Sequence, residues 1–167
     1  NYSQQWGYTD ADAGIRANTA WDVANGSGII VAVLDTGYVT HSDLAANIVA
    51  GYDFITNTTT AGDGNGRDSN PADPGDYSGG NPSSWHGTHV AGTVAAVTNN
   101  AKGVAGTAWG AKVMPVRVLG RGGGSTSDIA DAIIWASGGT VSGVPTLSAA
   151  NAADVINMSL GGGGACD

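Results

Sequence analysis

Six successive residues, Ile29, Ile30, Val31, Ala32, Val33 and Leu34, form an apolar run without a polar interruption, and Asp35-Thr36-Gly37 follows directly. A strand that faces water on one side alternates apolar and polar residues. This run does not alternate, so both of its faces must be buried. Strands of that kind lie in parallel sheets covered by helices on both faces. The run also ends in a carboxylate, which is costly at the margin of a core unless it is hydrogen-bonded. One stretch thus asks for an α/β fold and places an acid at the carboxyl end of a strand.

The rest of the chain has to supply the neighbouring strands and the covering helices. Residues 15–25 place Ala17, Ala20, Trp21 and Ala24 at helical spacing, with Gly26 as a C-terminal cap. Residues 48–55 are a weaker strand. Residues 56–84 are irregular. A helix of small residues is expected from about His86 to Val97, and a strand over 112–119, where Pro115 argues against a central position. A glycine loop follows at 120–124. The next helix spans 127–137, with Ser127 as N-cap, Asp128 and Asp131 near its positive end, and Ile129, Ile133 and Ile134 facing inward. Residues 154–160 form a last strand. Strands alternating with helices imply right-handed β-α-β units, and in such folds sites form at the carboxyl ends of the strands. Asp35 stands at one such end and Ser159-Leu160-Gly161 at another.

Composition excludes several functions. Charged residues make up 12 %, the net formal charge is −8, and the six Lys and Arg are scattered. Nucleic-acid binding needs clustered cations, so that partner class is excluded. No apolar run reaches the roughly 18–20 residues of a membrane-spanning helix. The 28 glycines carry no collagen period and fit a tightly packed fold with sharp turns. The N-terminal residues carry no signal segment, so a secreted protein would already have lost it. Cys166 is the one cysteine and has no partner in the chain, which suggests further chain elsewhere.

Residues 85–92 read as the mouth of a helix with His86 in its first turn. His86 and His89 can be a helix start satisfied by backbone, or metal ligands. The zincin arrangement, however, lacks its helical Glu. His86 can also be a general base, with Gly87, Thr88 and Gly92 leaving room around the ring and Asp35 fixing its tautomer. Asp35 in turn can be a turn former or a site acid. Asp-Thr-Gly also occurs in pepsin-like aspartic proteases. Those need two copies in an all-β protein, whereas this chain has one copy in an α/β pattern.

Taken in order, five segments carry a resemblance. They are Val33-Leu34-Asp35-Thr36-Gly37, His86-Gly87-Thr88-His89-Val90-Ala91-Gly92-Thr93, Gly103-Val104-Ala105-Gly106, Val116-Arg117-Val118-Leu119 and Val155-Ile156-Asn157-Met158-Ser159-Leu160-Gly161-Gly162. The set resembles the subtilisin family of serine endopeptidases over about residues 21–162. The resemblance implies a three-layer α/β fold, a mainly parallel sheet flanked by helices, of which this chain is the N-terminal part. By it, Asp35 is the orienting acid of a triad, His86 the general base and His89 structural. Ser159, Leu160 and Gly161 would line one edge of a cleft, and Gly122, Gly123 and Gly124 the other. A protein or peptide substrate would add between them as a strand.

The resemblance also implies Ca²⁺. Asp43 and Asn100 would give side-chain oxygens and Val97, Lys102 and Val104 backbone carbonyls, with Gln4 or Gln5 as a further ligand. Asp63, Asp68, Asp73 and Asp76 read as a solvated acidic loop or as a second calcium site. The family's nucleophilic serine and oxyanion asparagine have no counterpart in the 167 residues. The chain alone is therefore expected to be inactive, and to be one part of a nicked, secreted enzyme. The C-terminal remainder would be a separate chain, joined through Cys166. The alternative is a calcium- or peptide-binding scaffold without a nucleophile.

Overall fold

Every residue of β1 (Ile30–Asp35) except Ile30 is buried. Alternation along the strand sends Val31 and Val33 to one core and Ala32 and Leu34 to another. The demand for two buried faces is met by two helical layers. The computed structural model describes residues 2–164. Four parallel strands form one sheet in the order β2-β3-β1-β4, with β2 at Tyr52–Asp53, β3 at Lys112–Arg117 and β4 at Val155–Asn157.

On one face, Ala32 and Leu34 meet Met114, Val116 and Val118 of the β3 segment, together with Phe54, Ala132, Trp135 and Ala136. The helix there is α5 (Thr126–Ala136). On the other face, Val31, Val33 and Val113 meet Leu44 and the small residues Ala91 and Ala95 of α4 (His86–Ala95). Each fully buried Val or Leu stabilises the fold by about 1.5–3 kcal/mol, so these two clusters dominate its energetics. Short helices α1 (Trp6–Thr9), α2 (Ala17–Ala20) and α3 (Thr58–Ala61) lie among the connecting segments. Tyr2, Tyr8 and Trp21 pack their rings together at the N-terminal end.

The three-layer α/β expectation is met, with local corrections. The helix expected over 15–25 closes after four residues as α2, and Trp21 turns its indole N–H onto the Thr107 carbonyl instead (2.8 Å). The 48–55 strand shrinks to Tyr52–Asp53. The last strand is Val155–Asn157 rather than 154–160. The N-cap of α5 is Ser125, whose hydroxyl accepts the Asp128 N–H at 3.2 Å, and Ser127 lies inside the helix. Pro115 lies in a central strand after all. Lys112 and Val118 donate their N–H groups to the β1 segment, so alternation turns the missing N–H of Pro115 towards β2. Residues 48–49 pair with Val113 and β2 pairs with Val116 and Arg117, so Pro115 falls in the gap between the two pairings on that edge.

Candidate active site

Strand order fixes the site. β1 lies between β3 and β4, so the chain leaving β3 and the chain leaving β4 flank the end of β1. Asp35 is that end, and it is fully buried. The imidazole of His86, about half exposed, sits against it, with Nδ1 2.8 Å from one carboxylate oxygen and 2.9 Å from the other. The Thr36 backbone N–H donates to Asp35 as well (2.7 Å). A carboxylate facing Nδ1 selects, in a neutral imidazole, the tautomer that carries its proton on that nitrogen. The other ring nitrogen, Nε2, then carries a free lone pair.

The helix is brought to the strand by groups to which the sequence assigned no such role. The Gly87 N–H donates to the Thr36 hydroxyl (3.0 Å), and that hydroxyl donates to Asp73 (2.8 Å). The His86 N–H donates to the Ser84 hydroxyl (3.2 Å), which donates to Asp76 (2.7 Å). Thr88 accepts the Val39 N–H with its side chain (2.9 Å). Gly87 itself serves close approach rather than ring space: a Cβ there would lie 2.2 Å from the Gly37 carbonyl oxygen. A Cβ on Gly92 would meet nothing within 4 Å, and that glycine plays no comparable part. The sequence signals for these supports were a hydroxyl directly after the acid, another two residues before the base, and the aspartates of the loop, which the sequence offered as cation ligands or solvated charges.

Beneath the acid lies a second polar layer. Arg117 is the register partner of Asp35 and is fully buried. It pairs with Asp53 (2.5 Å) and Asp63 (3.1 Å) and donates to the Ala61 carbonyl. Burial pushes the Asp53 carboxyl up to about 6, against the Ile55 N–H and the Arg117 charge. Further out, Arg67 joins Asp128 (2.6 Å) and Asp131 (2.7 Å), which ties the irregular loop to α5.

The remaining expected positions fall as follows. Gly122, Gly123 and Gly124 lie in the loop after β3, closed by a bridge between Gly120 and Gly123. Gly122 and Gly123 have φ of 82° and 117°, backbone that glycine favours. These glycines, with Thr56, Arg67, Arg121 and Ser125 among others, line a depression of about 690 Å³. Ser159 shares hydrogen bonds with the Asn157 side chain, Leu160 packs partly against the core, and Gly161 is exposed. His89 lines a groove on the outer side of α4, away from the imidazole–carboxylate pair. Cys166 lies outside the described residues.

The two acidic groups differ in how their carboxylates are held. Asp43 is buried, and Asn100 and Val104 both donate to it, at 2.7 and 3.1 Å. A Cβ on Gly103 would come within 1.9 Å of its carboxylate, so the loop wraps it closely. Gln5 is tied to the same loop through Ala105 (2.8 and 2.9 Å), and the Val97 N–H donates to the Asp43 carbonyl (2.7 Å). Lys102 donates its backbone N–H to the Asn100 side-chain oxygen (3.2 Å). Both Asp43 carboxylate oxygens face N–H donors, which a cation bound there would have to displace.

Asp63, Asp68, Asp73 and Asp76, by contrast, do not converge. Asp63 faces Arg117 and the Asn65 N–H, and Asp68 accepts from Asn65 and Asn70. Asp73 accepts from Thr36 and Gly75, and Asp76 accepts twice from Ser84. Among the described residues no three acidic, His or Cys side chains gather into a metal-holding group. Burial holds Asp73 above the usual carboxylate range despite its donors. Burial opposes ionisation of Asp76 too, but the Ser84 donors outweigh it and hold that carboxyl below the usual range.

The chain has relatives among known proteins. The profile of the subtilase family matches residues 26–167. The chain is 66 % identical to an extracellular protease of Xanthomonas campestris pv. campestris, over 98 % of the chain and 30 % of that protein. It is 52 % identical to an extracellular basic protease of Dichelobacter nodosus, over 99 % of the chain and 29 % of that protein. Among solved structures, a protease from Pseudoalteromonas arctica superposes with a TM-score of 0.94 at 62 % identity, covering 99 % of this chain and 51 % of that one. The chain thus spans about a third of the length of those two curated relatives.

Proposed function

This chain belongs to the subtilase family, and on that premise we propose that the protein carrying it is a secreted serine endopeptidase to which the chain contributes the acid and the base. The observation that carries the reading is the Asp35–His86 contact, at 2.8 and 2.9 Å, at the end of a buried strand with a loop on either side. Secretion rests on the relatives, two of which are called extracellular. The nucleophile is assigned to the part of the relatives' length that this chain does not span.

In this mechanism a peptide lies as a strand between residues 122–124 and residues 159–161. The serine attacks the scissile carbonyl, and His86 takes its proton on Nε2. Asp35 stabilises the imidazolium and holds its plane, and the proton is then given to the leaving amine. A water repeats the cycle on the acyl-enzyme.

Calcium is proposed at the Asp43 group, with Asn100 and the carbonyls of Val97, Lys102 and Val104 as further ligands. A cation there would supply charge for a buried carboxylate and cross-link the N-terminal segment to the loop after α4. The four aspartates of residues 63–76 do not fit a shared cation site, because their carboxylates face separate partners and do not converge on one point.

His86→Ala in the complete gene product, assayed on a casein or peptide substrate, should lower kcat by roughly 10⁴–10⁶-fold, since triad members act as a unit. A serine-directed phosphonylating reagent should abolish the wild-type activity. Near-normal turnover after either treatment would overturn the reading. Intact mass with and without reductant shows whether the serine arrives on the same chain or on one joined through Cys166.

A further inference from the structure

Two relays converge on the first turn of α4, and they have the same construction. A carboxylate receives the proton of a hydroxyl, and that hydroxyl's oxygen receives a backbone N–H of the helix. Asp73 holds Thr36, which holds Gly87, and Asp76 holds Ser84, which holds His86. The first N–H groups of a helix have no partner inside it and must find one. The helix-start residue Trp85 offers no side-chain cap, and its φ of 54° takes the chain into the helix in a left-handed conformation. The usual device is therefore missing, and the two hydroxyls stand in for it.

A lone hydroxyl would be a poor substitute. It rotates, and in many rotations it would aim its own hydrogen at the helix N–H. A carboxylate has acceptors only, so it can bind the hydroxyl in one way, hydrogen towards the carboxylate. That leaves a lone pair for the helix. The remaining contacts of the two acids fix their own planes. Asp73 accepts the Gly75 N–H at 2.7 Å with its second oxygen, and Asp76 accepts the Ser84 N–H at 2.6 Å. Thr36 is also the residue whose N–H donates to Asp35, so one residue touches the triad acid and the helix that carries the base.

We propose that Asp73 and Asp76 are positioning residues of the catalytic base, acting through Thr36 and Ser84 to set where the first turn of α4, and with it the His86 ring, meets Asp35. This rests on the protease reading above. It gives the acidic loop a role in catalysis that is separate from cation binding. The angular tolerance for proton transfer is small, and a misplacement of about 1 Å can cost on the order of 100-fold in rate. Substrate contacts lie elsewhere, on residues 122–124 and 159–161, so binding should be spared.

The test uses the complete gene product. Asp73→Ala, Thr36→Val, Asp76→Ala and Ser84→Ala are prepared singly, with the doubles Asp73→Ala/Thr36→Val and Asp76→Ala/Ser84→Ala. Each single variant should lower kcat by about tenfold, the scale of one lost hydrogen bond, and leave KM within about twofold. Each double should be no slower than its slower single, because both members act through the same N–H. Thr36→Ser retains the hydroxyl and should recover most of kcat, whereas Asp73→Asn offers one acceptor where Asp73 uses two and should behave like Asp73→Ala. The exposed Asp76–Ser84 pair keeps the test available should the buried pair fail to fold. Unchanged kcat in well-folded variants, additive effects in the doubles, or loss confined to melting temperature would overturn the proposal. A readout independent of turnover is the downfield Nδ1–H resonance of His86 in ¹H NMR. It should broaden or shift in the Ala and Val variants and persist in Thr36→Ser. An inactive wild type would sink the protease reading, while this resonance would still decide the positioning role: an unmoved resonance in every variant overturns it.

Discussion

A methyl group on Gly87 would lie 2.2 Å from the Gly37 carbonyl oxygen and 3.2 Å from Cβ of Asp35. The strand end and the helix start are thus in backbone contact at the place where acid and base meet. Gly87→Ala must push them apart, since neither neighbour is a flexible side-chain end. Overpacking of this kind costs about 1–3 kcal/mol, and here the displacement falls on the Asp35–His86 distance. The expected result is a melting temperature lower by several degrees together with a fall in kcat of roughly 100-fold. Gly92→Ala, where open space surrounds the added carbon, should leave both within error and raise helix propensity slightly. The two glycines look alike in the sequence. What separates them is a neighbour about fifty residues away, which no local reading reveals.

Elements were legible to the degree that their pattern was long. The uninterrupted run ending in Asp35 and the small-residue helix at 86 both stand where periodicity and composition put them. Thr36, Ser84 and Arg117 were not singled out for the site, because a single polar residue carries no period and its partners are set by tertiary contact. The α5 cap shows the limit at one residue's scale. Ser125 and Ser127 are equally good capping residues, and the choice between them is made by where the glycine loop delivers the chain. Ser125→Ala should cost about 1 kcal/mol in chemical denaturation and Ser127→Ala much less.

The same helix predicts a pH response. Burial opposes ionisation of Asp128, but Arg67, Thr56 and Ser125 outweigh it and depress its pKa below the ordinary value. Its folded pKa lies below its unfolded one, so its contribution is present above about pH 4 and is lost as pH falls through the folded value. Urea midpoints of the wild type should therefore drop below about pH 4, and Asp128→Asn should flatten that slope.

For the whole molecule, the sheet order explains why a cleft exists at all. β3 and β4 flank β1, and the loops that follow them diverge on either side of Asp35. The Asp43 group lies at the opposite end of α4 from His86, where that helix gives way to residues 97–104. A cation bound there should stabilise without entering the chemistry. Chelation with EGTA should lower the melting temperature of the complete protein, and restored Ca²⁺ should return it in a concentration-dependent way. Initial rates measured well below that temperature should change little. A melting temperature indifferent to chelator would remove the calcium assignment. The general architecture was legible from alternating elements, whereas the divergence of the acidic loop into four separate partnerships was not. Carboxylates close in sequence look like one charge cluster until each is given its own donor.

The parallel sheet also sets a timetable. Ile30 exchanges hydrogen bonds with Asp154, 124 residues later in the chain, and its other strand neighbour begins at Lys112. No hairpin can form early, because every ladder of β1 is with a distant strand. At roughly 5–20 residues per second on a ribosome, β1 emerges on the order of ten seconds before the strand that closes its far edge. During that interval its two apolar faces and both edges are open to any other nascent chain. The stretch that most constrains the folded protein is thus also its longest-exposed hazard while the protein is being made.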